Sequence, residues 1–375
     1  MNKKNNQNEL LHPYFGVKFH RWGSDIFRYG IDYRNIKKYK KITQYSIKLI
    51  PYMIREKFKY DGLINKQKIE KEPVFVIGHW RSGTTHLQNI LTQDPQWAYL
   101  NTIQSVFPNV FLLLEKRLAS MLPDQKRAMD NVKLSAYTPS EEEIALATMC
   151  NGSFWQGYFF TNEMDYYFNK YVLFEGMSQS ELRHWKKGYL KLLKKLSYRY
   201  QGKQLLLKNP PNTARIKVLL EMFPNAKFIH ICRNPYDVYQ SRVKQYDSAV
   251  RMKDLQNLSK EDWTQKSLRY YQLLMDKYIQ DRELIPEGNL VEVSFENLKE
   301  NPMDITKKIY GDLNLPGYEV AKVHFAEYVK GLKKYEQNHY DYSVETTAPV
   351  RKNWLRYGEI FGYNMDTLNI AKESS

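Results

Sequence analysis

From Pro73 onward the apolar and polar positions change their pattern. Val74-Phe75-Val76-Ile77 is an unbroken apolar run, which suits a strand buried on both faces. It stops at Gly78, and a Gly/Ser/Thr loop leads into a helix-like run from Thr84 to Thr92. Leu205-Leu206-Leu207 and Phe228 to Cys232 repeat the strand pattern, and Leu290 to Phe295 supplies a fourth strand. Helical segments follow at Asn212 to Phe223 and Tyr236 to Tyr246. Strands alternating with helices predict an α/β fold, a P-loop-type parallel sheet flanked by helices.

Residues 1–72 are rich in Lys and Tyr, with Pro51 as a breaker, and read as a helical N-terminal extension. Tyr45 to Phe58 can pack on a core with a solvated basic face, or lie on a membrane surface. The α/β domain is expected over 73–334. The insertion from about Gln104 to Gly202 is aromatic-rich and helical in period, and is expected to cap the carboxyl edge of the sheet, where α/β proteins bind ligands. Residues 335–375 read as a loop or lid and a tail of the same domain, with Tyr335 to Tyr363 ending in a short helix.

Charge narrows the partners. Among 375 residues, Lys and Arg number 57 and Asp and Glu 41, a formal charge of +16. The partner is therefore expected to be anionic: a nucleic acid, a membrane surface or a polyanionic small molecule. Two cysteines, Cys150 and Cys232, exclude a disulfide scaffold and a cysteine-built zinc site. No stretch approaches the ~20 apolar residues of a membrane span. The polar Met1 to Leu10 has no signal-peptide character, so a cytoplasmic location is expected.

The first chemistry-bearing motif is Gly78-His79-Trp80-Arg81-Ser82-Gly83-Thr84-Thr85, between a strand and a helix. Glycines allow a tight turn, successive N–H groups then face one anion, and the helix adds its positive end. The spacing is that of GxxxxGK[ST], but Thr84 holds the Lys position and the cation, Arg81, lies inside the loop. Arg233, not an Asp, follows the strand Phe228 to Cys232. Both features argue against magnesium-nucleotide chemistry.

Arg81-Ser82-Gly83-Thr84-Thr85 resembles the 5′-phosphosulfate loop of the PAPS-dependent sulfotransferases, PAPS being 3′-phosphoadenosine 5′-phosphosulfate. Arg233, with Ser241 eight positions later, resembles their 3′-phosphate motif. Leu207-Lys208-Asn209-Pro210 and Phe223-Pro224-Asn225-Ala226-Lys227-Phe228 look like the bacterial and tyrosylprotein branches. Ser294-Phe295-Glu296-Asn297-Leu298 is similar to the strand bordering the adenine. The resemblance spans Pro73 to Pro302 in scattered blocks. It implies transfer of a sulfuryl group from PAPS to an acceptor hydroxyl or amine, leaving PAP, with no metal.

The roles implied are these. Arg81, Ser82, Gly83, Thr84 and Thr85 hold the 5′-phosphosulfate, Arg233 and Ser241 hold the 3′-phosphate, and Lys208 reaches the bridging oxygen. The catalytic His of the cytosolic animal branch has no counterpart, and Asn101 or Thr102 stands where the tyrosylprotein branch has its Glu. A general base is then sought in Pro139-Ser140-Glu141-Glu142-Glu143, with Glu143 or Glu142 favoured. Ser140 and Glu143 also match a capping box, a competing structural role. His79 is expected to pack beside the loop and His230 in the core, while Arg242 and Lys244 either add charge at the 3′-phosphate motif or lie on a solvated helix face, the latter favoured. Phe154 to Phe160 is either ordinary core or an apolar acceptor pocket. The latter implies a hydroxylated, partly apolar acceptor such as a lipid, sterol or phenol. The rivals are a P-loop kinase or NTPase, and a basic nucleic-acid or membrane-surface binding module. No RRM, zinc-finger or OB signature supports a nucleic-acid partner.

Overall fold

The computed structural model describes residues 12–122, 125–126, 133–150, 152–332, 340 and 342–366. Expectations for Met1 to Leu10 and for 335–339 lie outside them. Five parallel strands form the central sheet: β1 (Val74–Ile77), β2 (Trp97–Ala98), β3 (Gln204–Lys208), β4 (Lys227–Cys232) and β5 (Leu290–Ser294). Their spatial order is β2-β3-β1-β4-β5. Phe75 lies level with Leu207 on one side and Phe228 on the other.

All of β1 is buried because each face of the sheet has its own helical layer. Val74 and Val76 join Leu87, Ile90, Leu206 and Ile231 on one face. Phe75 and Ile77 join Leu205, Leu207 and Phe228 on the other. This two-fold alternation inside an all-apolar run is what a doubly covered parallel strand requires. β5 stops one residue short of the expected Phe295. The Ser294 hydroxyl there accepts the Asn297 N–H at 3.2 Å and starts a helix.

Residues before the sheet form α1 (Phe19–Tyr29), α2 (Ile36–Lys48) and α3 (Ile50–Lys66). Pro51 breaks the run as expected, but only to open α3 in its first turn, where no donor is lost. After β1 comes α4 (Thr84–Leu91). The regular structure described in the insertion is helical apart from a short antiparallel pairing of Gln125–Lys126 with Lys133–Leu134. Its helices include α5 (Glu142–Met149) and α6 (Gln179–Arg199). Beyond β4 lie α7 (Pro235–Gln245) and α8 (Lys260–Asp281).

The C-terminal segment departs from the expected loop. Val344–Ile360 is one long helix, α9. Thr347, Val350, Trp354 and Tyr357 are buried along one side of it, and Trp354 stacks on Tyr271 of α8 at 3.8 Å between centroids.

One ion pair fastens the insertion to the sheet. Glu143 of α5 accepts from Arg215 Nη1 at 2.7 Å and Nη2 at 3.0 Å, with both residues wholly buried. Asn209, just past β3, donates to the same carboxylate at 2.8 Å, and the Phe154 N–H at 2.7 Å. The Arg215 guanidinium also lies over the Trp185 ring of α6, 5.0 Å from its centroid. Replacing Arg215 by Met leaves the buried Glu143 carboxyl without its ion-pair partner and half-satisfied. We expect a loss of about 3–5 kcal/mol, measured by urea unfolding against wild type.

Candidate active site

The phosphate loop follows β1 and owes its shape to two backbone constraints. Gly83 sits at φ 101° just before α4, and Arg81 is held at φ 74°. A Cβ on Gly78 would stand 2.4 Å from the Ile231 carbonyl oxygen, so only glycine lets the loop pass that close to β4. Thr213 clamps the loop's entrance: its Oγ1 accepts the Gly78 N–H at 2.8 Å and donates to the Gly78 carbonyl at 3.2 Å. The loop closes on itself through the Ser82 N–H and the His79 carbonyl.

The two distant motifs meet. Arg81 Nε donates to Ser241 Oγ at 2.7 Å, across 160 residues of sequence. Arg233 points one guanidinium nitrogen at the Arg81 carbonyl oxygen, 3.4 Å away. It pairs with Asp237 at 2.9 Å and lies over the Phe295 ring. On the other side of the loop, Lys208 Nζ stands 3.4 Å from Thr85 Oγ1 and 2.7 Å from Glu141 Oε1. Arg81, Ser82, Gly83, Thr84, Thr85, Lys208, Arg233 and Ser241 thus surround one loop at the carboxyl edge of the sheet.

The carboxylates of the α5 entrance divide in three ways. Glu143 is saturated by Arg215, Asn209 and the Phe154 N–H, as described. Glu142 is also fully buried: the Lys208 N–H donates to its Oε1 at 3.1 Å, and Tyr189 and Asn212 to its Oε2 at 3.4 Å. Burial raises its pKa to about 8, so at neutral pH it is largely a neutral acid. Glu141 alone of the three reaches solvent, and it touches Lys208.

The expected capping box is absent. Ser140 hydrogen-bonds Ser105 Oγ and the Leu100 carbonyl, the helix starts two residues later, and Glu141 is its N-cap residue. The Asn101–Pro139 bridge holds that strand-like approach in place.

Arg242 departs from the expected solvated face. It is fully buried beside Ser241, sandwiched by Trp263 at 4.1 Å and Trp80 of the loop at 5.5 Å. Tyr158 and Gln245 accept from one of its nitrogens. Its Nε and Nη2 have no partner, and no carboxylate among the described residues pairs with it. His79 packs in the loop between Trp80, Tyr271 and Trp354, as expected. Burial, then the Arg242 charge, hold its pKa well below the ordinary value. His230 is core, stacked on Tyr278 at 3.9 Å.

The model of the sulfotransferase family matches residues 73–319. The chain belongs to the sulfotransferase family. Two sulfotransferases described as acting on ω-hydroxy-β-dihydromenaquinone-9, the Stf3 proteins of Mycobacterium bovis and Mycobacterium tuberculosis, are each 31% identical to it. The match runs over 319 residues, 84% of this chain and 82% of theirs. Two solved sulfotransferases share the fold. STF9 from Mycobacterium avium has a TM-score of 0.62 at 17% identity, covering 84% of this chain and 82% of its own. STF1 from Mycobacterium tuberculosis also has 0.62, at 15% identity, covering 91% and 93%.

Two residues beside the loop sit differently from the way their sequence context weighed them. Glu141 sat in the right run, but nothing local distinguished it from its neighbours. Arg242 looked like one more basic residue on a polar helix, although it follows Ser241 directly.

Glu142 carries a pH signature. Its folded pKa of about 8 lies above the ordinary 4.5, so its contribution to stability is full below pH 4.5. That contribution falls as pH rises and is gone above about pH 8, at up to about 1.4 kcal/mol per pH unit. Glu142→Gln is expected to flatten this part of the stability-against-pH curve, read from urea midpoints between pH 5 and pH 8.

Proposed function

We propose that this sulfotransferase moves the sulfuryl group of PAPS to the hydroxyl of a lipophilic alcohol. The observation that carries the donor reading is the 2.7 Å contact between Arg81 and Ser241, which brings two anion-binding motifs to one place. The residues present fit a donor with two separate phosphate sites. Three cations converge on the loop. Ser82 Oγ and Arg233 Nε are buried polar atoms without partners. The face of Gly83 is bare where a Cβ would strike the Phe295 ring at 2.3 Å.

Arg81, Ser82, Gly83, Thr84 and Thr85 hold the 5′ end through the loop amides and hydroxyls. Arg233 and Ser241 hold the 3′-phosphate by charge-assisted bonds. The bound donor supplies an activated sulfuryl group on a bridging oxygen. Lys208 offsets the negative charge that grows on that oxygen as its bond to sulfur breaks. Glu141 takes the proton from the acceptor hydroxyl as the new oxygen–sulfur bond forms. Glu142, neutral and buried, and Glu143, tied to Arg215, position the backbone from which Glu141 and Lys208 extend.

Support for a lipophilic acceptor comes from the rings beside the loop. Trp80 packs on Phe154 at 5.4 Å, and Phe154 contacts Tyr158 and Phe168. The run Phe154 to Phe160 is itself core: Phe154, Phe159 and Phe160 have no exposed surface. Its part is thus to back Trp80 from within the core and keep that side of the loop apolar. The 31%-identical relatives, named for an ω-hydroxylated menaquinone derivative, support the same class of acceptor.

Calorimetric titration with PAP tests the donor. Wild type is expected to bind at about micromolar Kd, with or without magnesium. Arg233→Ala is expected to bind roughly 10- to 100-fold more weakly. Radiolabelled sulfuryl transfer to farnesol, with none to a polysaccharide, is the expected acceptor result. Binding of ATP but not PAP, or turnover on polysaccharide alone, would contradict the proposal.

A further inference from the structure

The helices α2 and α3 have apolar side chains on two opposite faces, and among the described residues only one face has a partner. The inner face buries Tyr39, Ile42, Leu49 and Ile64. The outer face carries Ile47, Pro51, Ile54 and Phe58, spaced three or four residues apart and therefore aligned. Phe58 is 85% exposed and Ile54 51%. Phe27, near the end of α1, is 93% exposed on the same helical layer. Exposed apolar rows of this kind mark interaction surfaces rather than solvated faces.

Charge selects the partner. Among residues 1–72, Lys and Arg outnumber Asp and Glu 17 to 7. Two carboxylates of α3 are already taken by α6: Glu56 pairs with Lys195 at 2.6 Å and Asp61 with Lys191 at 2.9 Å. None of Lys48, Arg55, Lys57, Lys59 and Lys66 pairs with a carboxylate among the described residues. An exposed apolar row bordered by unpaired cations is the arrangement that lies in the interface of an anionic bilayer, apolar side chains inward and cations at the headgroups.

The other side of the same layer leads toward the donor loop. Tyr14 packs on Phe159 at 4.5 Å and Tyr29 on Phe160 at 4.4 Å. These rings belong to the aromatic cluster that includes Phe154 and Trp80.

We infer that the outer face of α2 and α3 docks this enzyme on a bilayer of anionic lipid, where a lipophilic acceptor resides. The inference rests on the lipophilic-acceptor reading for its purpose, but its test does not. The full chain is mixed with phosphatidylcholine vesicles containing one-third phosphatidylglycerol, and floated through a density gradient. Wild type is expected to float with them, less so as salt rises, and not with pure phosphatidylcholine. The double variant Ile54→Asp/Phe58→Asp is expected to lose about tenfold or more of its partitioning. PAP titration of the same variant is expected to match wild type, which separates failure of this face from failure of the donor site. Three results would overturn the inference. Wild type remains in solution, or the double variant floats as wild type does, or the two substitutions abolish dimerisation or RNA binding and leave flotation unchanged.

Discussion

The Glu143–Arg215 pair is the contact on which the site depends. A wholly buried ion pair is tolerated only if every lone pair and proton finds a partner. Here Arg215, Asn209 and the Phe154 amide fill the carboxylate. Two of these partners come from the segment after β3 and the third, like Glu143 itself, from the insertion. The pair therefore ties the cap to the sheet at the strand end from which Lys208 projects. Glu142, next in sequence, accepts the Lys208 backbone N–H. Two adjacent buried carboxyl groups thus set the position of the two groups beside them, Glu141 and Lys208.

The donor side shows the opposite economy of charge. Around the loop, cations outnumber the carboxylates that meet them. Asp237 answers Arg233 and Glu141 answers Lys208. Among the described residues Arg242 meets aromatic rings and neutral oxygens but no carboxylate. Its charge lies between Trp80 of the loop and Trp263 of α8, so it joins the two donor motifs mechanically and raises the positive potential there. A cation left in this state by the protein suits a site whose natural occupant is a polyanion.

Much of this was legible in the sequence because local and global signals agreed. β1 could be read to the residue from an apolar run ended by Gly78. Arg81 and Ser241 could be paired by motif, since a phosphate loop and a strand-end arginine have fixed places in an α/β sheet. Local pattern failed where tertiary contacts decide. Ser140 and Glu143 have capping-box spacing, yet Ser140 is drawn away by Ser105, and Glu143 by an arginine 72 residues downstream. β2 is two residues long and leaves no periodic trace. The C-terminal helix did carry a signal. Thr347, Val350, Trp354 and Tyr357 repeat at helical spacing, but Pro349 and the surrounding charges obscured it. The burial of Arg242 was not legible, because it depends on the rings that surround the side chain.

In the proposed mechanism, docking of the α5 entrance leaves Glu141, not its two neighbours, to take the acceptor's proton. Single-turnover sulfuryl transfer from PAPS to farnesol, followed for wild type and Glu141→Gln with PAP affinity measured on the same samples, tests this most directly. The account predicts a rate lower by about 10²- to 10⁴-fold with PAP affinity unchanged. A Glu141→Gln enzyme that transfers at nearly the wild-type rate would contradict it and return the base to another residue.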